Sequence, residues 1–268
     1  MKKIPLLELL TKNFHEDTKS ILYSKIMCGE VFVNGEKNTN PGSKVLLDSA
    51  IEIIEKVFVS RGGIKLKAAL DNWQIDITGK VFIDAGSSTG GFTDCLLRNR
   101  ALYVHAVDVG YNQLAYSLRT DIRVGVLEKT NIMHLNELTP LPEAAVADLS
   151  FRSISGAGRH IIDLTTEKWL IALVKPQFEI DKSVFPDFNG IIFDKSILKD
   201  VLNVVLDKIM ADKLFVDKVM LSPIKGRKGN IEFLFLIRDN QIQNTDSGWM
   251  EHISRELEIL IDGILLCR

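Results

Sequence analysis

VFIDAGSSTGGFTD, residues Val81 to Asp94, is the stretch on which the fold turns. An apolar run that reaches Asp84 and then meets glycines reads as a buried strand ending on a carboxylate. Gly86, Gly90 and Gly91 let the backbone turn tightly and come close to a ligand before a helix begins. The order is not the GxxxxGK[ST] of a phosphate-binding loop, and GSSTGG departs from the dinucleotide fingerprint. A nucleoside cofactor without a pyrophosphate suits such a loop better. Its candidate contacts are Asp84, Gly86, Ser87, Thr89, Gly90, Gly91 and Phe92.

The next strand, ALYVHAVDVG (101–110), carries Asp108 near its carboxyl end. An acid there can accept hydrogen bonds from both hydroxyls of a ribose. Beyond it, LEKTNI (127–132) offers Asn131 to read an adenine edge and Ile132 to pack against the ring. Loop, ribose acceptor and base contact on consecutive strand ends point to an adenosine-type cofactor.

Four more strands are expected in AAVADLS (144–150), WLIALVKP (169–176), VDKVMLSP (216–223) and IEFLFLIRD (231–239). Helical spacing marks IKLKAALDNW (64–73), the stretch 194–213 and an amphipathic segment over 249–266. Apolar strands joined through helices predict an α/β, Rossmann-like domain with a largely parallel sheet covered on both faces.

The first part of the chain has a different rhythm. Ile4 to Leu10 reads as a short helix and Thr18 to Cys28 as a second, with Ile21, Leu22, Ile26 and Met27 as its buried stripe. EVFVNG (30–35) alternates Val31 and Val33 before an Asn34-Gly35 turn, and 40–54 continues as extended chain. A small α+β module of this size buries little core alone.

Composition sets limits on function. In 268 residues, 33 Lys plus Arg face 35 Asp plus Glu, a net charge of -2. That excludes a histone-like binder but leaves room for a local basic surface. Cys28, Cys95 and Cys267 are dispersed, which suits reduced thiols in the cytoplasm and gives no metal motif. No signal peptide or apolar run long enough for a membrane span is visible, so no stable membrane association is expected.

In combination and order, GEVFVNGEKNTNPGSKV, VSRGGIKLKAAL, DAGSSTGGFTDCLL, AVDVGYNQLAYSLR, EKTNI, DLSFRSI, KPQFE and SPIKGRKGNIEFL resemble the TlyA, or haemolysin A, family. The resemblance implies an S4-like RNA-binding domain over 1–58, a linker and the start of the catalytic region over 59–65, and an FtsJ-like methyltransferase domain over 66–268. It implies S-adenosyl-L-methionine as cofactor and a ribose 2′-hydroxyl in 16S or 23S ribosomal RNA as acceptor, with ribosomal RNA or subunits as partner. Matching its motifs gives a catalytic set of Lys65, Asp148, Lys175 and Glu232, with Asp148 also facing the cofactor. In that scheme Lys175 takes or stabilises the hydroxyl proton, Asp148 orients it, Lys65 offsets the carboxylate field, and Glu232 positions Lys65 or the ribose.

RNA contacts are expected from Arg61, Lys65 and Lys67 at the junction, and from Lys225, Arg227 and Lys228 beside Glu232. Six phosphate contacts would give a logarithmic salt slope of about -5. Two departures stand out. Residues 1–60 hold eight Lys, eight acids and no Arg, and the loop after KPQFE lacks the expected arginine, for which Arg152 is a replacement candidate. A non-catalytic RNA-binding or ribosome-assembly protein is the alternative reading. A membrane-lytic role, suggested by the haemolysin name, finds no amphipathic pore segment.

Overall fold

The computed structural model describes residues 3–54, 57–149, 154, 156–180, 188, 190–226, 229–239 and 248–264. The amino-terminal module begins with β1 (Lys3–Pro5), α1 (Leu6–Asn13) and α2 (Lys19–Met27). Short strands β2 (Val31–Val33), β3 (Glu36–Lys37), β4 (Lys44–Leu46) and β5 (Ile51–Ile53) complete it. Ile4 therefore lies in a strand paired with β4, and the helix starts only at Leu6, after Pro5. Thr18 caps α2 by accepting from the Ile21 amide. Leu22 and Ile26, one turn apart, are buried, whereas Ile21 is 44 % and Met27 40 % exposed. The expected stripe was too wide because α2 covers a core of only a few side chains, chiefly Ile4, Leu6, Leu9, Leu10, Val31 and Val45.

The larger unit opens with α3 (Gly62–Trp73) and β6 (Val81–Ala85), followed by α4 (Gly91–Arg98), β7 (Tyr103–Val107), α5 (Tyr116–Arg119) and β8 (Val124–Leu127). Then come β9 (Ala144–Ala147), α6 (Gly158–Asp163), β10 (Trp169–Val174), α7 (Pro176–Glu179), α8 (Lys195–Ala211), β11 (Leu214–Leu221), β12 (Phe233–Asp239) and α9 (Trp249–Asp262). The seven-stranded sheet has the order β11-β12-β10-β9-β6-β7-β8. The run from β8 through β10 is parallel, and β12 is antiparallel to both its neighbours.

Alternation along the strands builds two cores. Leu170, Ala172 and Val174 face α6, α8 and α9, while Trp169, Ile171 and Leu173 face α3, α4 and α5. On β12, Phe233, Phe235 and Ile237 take the first side, and Leu234 and Leu236 the second. Phe58, expected at the end of the module, is buried in the core beneath α3, and its ring fills the space a side chain at Gly63 would need. Residues 62–65 form the first turn of α3, so the helix expected over 64–73 begins two residues earlier.

Candidate active site

The strand order reverses between β6 and β9, where an open α/β sheet leaves a crevice for ligands. Gly86 leaves β6 at a φ of 82°, and a Cβ there would lie 2.7 Å from the carbonyl oxygen of Asp148. No other residue fits so close to the neighbouring strand end. The amides of Gly86 and Ser87 donate to the Val107 carbonyl at 2.8 and 3.1 Å, anchoring the loop to β7. Asp84 is wholly buried; its Oδ2 accepts from the Thr93 amide at 2.9 Å and hydroxyl at 2.6 Å. Among the described residues, its Oδ1 has no hydrogen-bond partner. Burial pushes this carboxyl up to about 7, with the charges of Asp148 and Asp108 adding to the rise and the Thr93 bonds opposing it.

Asp108, half-buried after β7, accepts from the Ser88 amide at 2.8 Å and the Gly110 amide at 2.6 Å. These bonds fix the carboxylate and leave each oxygen a further lone pair. Asn131 uses its side-chain oxygen to cap the turn Ile132–His134, accepting from the Met133 amide at 3.1 Å. Ser87 is buried and Thr89 exposed at the turn before Gly90. The side chains of Ile132 and Phe92, expected beside the cofactor, are buried in the cores on either face of the sheet.

The four candidates for the chemistry gather at one edge. The amide of Asp148, just past β9, donates to the Ala85 carbonyl at 3.0 Å. Val174 pairs with Phe233, so Lys175 and Glu232 take the next positions on adjacent strands. Lys175 Nζ lies 2.5 Å from Asp148 Oδ1 and donates to the Leu149 carbonyl at 3.2 Å. Lys65, from the first turn of α3, is ion-paired with Glu232, and both side chains are nearly excluded from solvent. Glu232 fills the space beside Gly226, where a Cβ would lie 2.4 Å from Oε1. The result is two lysine–carboxylate pairs, the Lys65–Glu232 pair buried and the Lys175–Asp148 pair more open at its carboxylate.

The candidate RNA contacts divide. Arg61 and Lys225 are exposed, and Lys67 is held on the surface by Asp71. Lys65 is corrected: buried on Glu232, it cannot reach a phosphate outside the pocket. Arg152, Arg227 and Lys228 lie outside the described residues. Sequence reading missed Glu128, which gathers backbone amides, and Asn230, whose Nδ2 donates to the Gly190 carbonyl at 2.8 Å. Most of these partners are main-chain atoms, which no residue pattern reveals. Among the described residues, no group of three or more His, Cys, Asp or Glu could hold a metal ion, and no helix is long and apolar enough to cross a membrane.

Residues 58–238 match the FtsJ-like methyltransferase family. The chain belongs to that family. Within it, the TlyA/hemolysin branch holds its relatives. Hemolysin A of Brachyspira hyodysenteriae is 38% identical over 225 residues, covering 82% of this chain and 93% of its own. The 16S/23S rRNA (cytidine-2′-O)-methyltransferase TlyA of Mycobacterium tuberculosis is 36% identical over 225 residues, covering 80% and 81%. A solved structure from Streptococcus thermophilus bearing the hemolysin label superposes with a TM-score of 0.69 at 32% identity, over 98% of both chains.

Proposed function

We propose that this FtsJ-like chain transfers the methyl group of S-adenosylmethionine to a ribose 2′-hydroxyl of ribosomal RNA. The observation that carries the reading is the convergence of Lys65–Glu232 and Asp148–Lys175 on the strand ends beside the glycine-rich loop. The M. tuberculosis relative's named activity supports the same acceptor. The crevice suits this cofactor: Asp108 and Asp148 bring negative charge to it, Asp84 keeps an oxygen with no partner among the described residues, and Gly86 and Gly90 let the loop pack tightly on the Asp148 carbonyl and the Leu114 and Leu118 side chains. Asp84, Gly86, Ser87, Thr89, Gly90, Gly91, Asp108 and Asn131 would hold it. When bound, S-adenosylmethionine supplies an activated methyl group with a good leaving group.

The protein's part is alignment and proton management. Asp148 and Lys175 orient the incoming hydroxyl, and Lys175 takes or stabilises its proton. Lys65, fixed by Glu232, adds positive potential where alkoxide charge develops. Arg61, Lys67 and Lys225 grip phosphates outside the crevice. Tritium-methyl transfer into undermethylated 30S and 50S particles, followed by nucleotide mapping, tests the reading. A 2′-O-methyl product is expected; a methyl group on a base atom overturns it. Lys175→Ala should abolish transfer while cofactor binding survives, and near-normal turnover by that variant removes Lys175 from the chemistry.

A further inference from the structure

Immediately after β8, Glu128 has a side chain only 8 % exposed. Its Oε2 accepts from the Asn112 amide at 2.8 Å. Its Oε1 accepts from the amides of Gln113 at 3.0 Å and Leu114 at 3.3 Å, and from Arg119 Nη2 at 2.6 Å. Three consecutive amides and a guanidinium thus converge on one carboxylate. Burial by itself would raise the Glu128 pKa; the Arg119 and amide bonds outweigh it and hold the group down at about 2. The charge is therefore permanent at working pH.

The loop clamped in this way touches the cofactor crevice at several points. The Gly110 amide donates to Asp108 Oδ1 at 2.6 Å, and the Ser88 hydroxyl donates to Gln113 Oε1 at 3.3 Å. The Ala115 amide donates to the Thr89 carbonyl at 3.1 Å. Leu114 and Leu118 press on Gly90, where a Cβ would lie 2.8 and 2.2 Å from their Cδ1 atoms. Each contact lands on Asp108 or on the glycine-rich loop, the two segments assigned to the cofactor.

We propose that Glu128 is a positioning residue for S-adenosylmethionine: by gathering the 112–114 amides it pre-forms the Asp108 and Ser88–Gly90 walls of the crevice. The proposal rests on the methyltransferase reading. Without the clamp, the loop must be ordered at the moment of binding, and that cost falls on affinity rather than on the chemical step. A glutamine at this position turns a donor group toward the amides and loses the charge that holds Arg119.

Isothermal titration of the full-length protein with S-adenosylmethionine, paired with steady-state kinetics and thermal melts, tests this. Glu128→Gln should raise Kd and the cofactor KM by about tenfold, with kcat at saturating cofactor and the RNA KM close to wild type. Should that variant not fold, Glu128→Asp carries the test: it keeps the charge that pairs with Arg119 but draws the carboxylate back by one methylene from the 112–114 amides. It should weaken cofactor binding several-fold. Wild-type Kd in folded Glu128→Gln, or in Glu128→Asp where that variant carries the test, overturns the proposal, as does a loss confined to kcat. Failure of the wild-type protein to bind S-adenosylmethionine overturns the methyltransferase reading itself, so the two failures are distinguishable.

Discussion

Asp84 holds Thr93 with one carboxylate oxygen and has no partner for the other among the described residues, and burial drives its pKa up to about 7. The native state then keeps a proton that the unfolded chain has already lost above its usual 3.8, so the stability Asp84 lends falls as pH rises toward 7. A cationic cofactor beside it favours the ionised form and lowers the pKa. Binding near pH 6.5 should therefore release protons, seen as calorimetric heats that differ between phosphate and Tris, and Asp84→Asn should abolish the difference. Equal proton release by the variant would assign it elsewhere. Glu128 behaves oppositely: lowered from 4.5 to about 2, it contributes stability present above 4.5 and lost as pH falls toward 2. Glu232 poses a third case, because Glu232→Gln strands the buried Lys65 charge. A loss of about 3–5 kcal/mol in urea unfolding is expected. Lys175→Ala, at the more open Asp148 pair, should cost much less stability than activity.

Among the elements, α8 offers a clean contrast between stability and function. Asp194 accepts from the amides of Ser196 at 2.7 Å and Ile197 at 3.4 Å, capping a 17-residue helix on the far side of the sheet from α4. Asp194→Ala should lower stability by about 1 kcal/mol in denaturant melts and leave the cofactor Kd unchanged. A large change in affinity would instead couple α8 to the crevice. This helix was legible in the sequence, as were the central strands, because long runs carry many apolar positions at one period. Strand direction was not: the period of two is the same for parallel β10 and antiparallel β12. Ile4 read as helix because a three-residue strand has too few positions to show alternation. Charges at the ends of apolar runs pointed to Asp84, Asp108, Asp148, Lys175 and Glu232, which the fold brings to the strand ends. That Ile132 and Phe92 are buried in the two cores was not legible, since sequence places a residue beside a loop without saying which way its side chain turns.

Across the whole molecule, the net charge of -2 gives no general attraction for RNA, so affinity must come from where the cations sit. The amino-terminal module touches the larger unit through the edge-on rings of Tyr23 and Tyr116, 5.3 Å apart, and through Cys28 Sγ, 3.7 Å from Ser117 Oγ. Residues 1–60 contain no arginine, and the arginines beside α2, Arg98 and Arg123, belong to the larger unit. On the proposed reading, the phosphate grip rests on Arg61, Lys67, Lys225, Arg227 and Lys228, with Lys65 held in its pair with Glu232. Five contacts give a logarithmic salt slope of about -4.5 on duplex-like RNA and about -3.5 on single strands. Filter binding of a ribosomal RNA fragment between about 50 and 200 mM salt measures it. Lys225→Ala, which removes an exposed cation, should make the slope shallower by about 1. Lys67→Ala should change it less, because Asp71 already neutralises part of that charge. A slope near zero in the wild-type protein would mean that phosphates contribute little, and that recognition runs through the module's neutral surface instead.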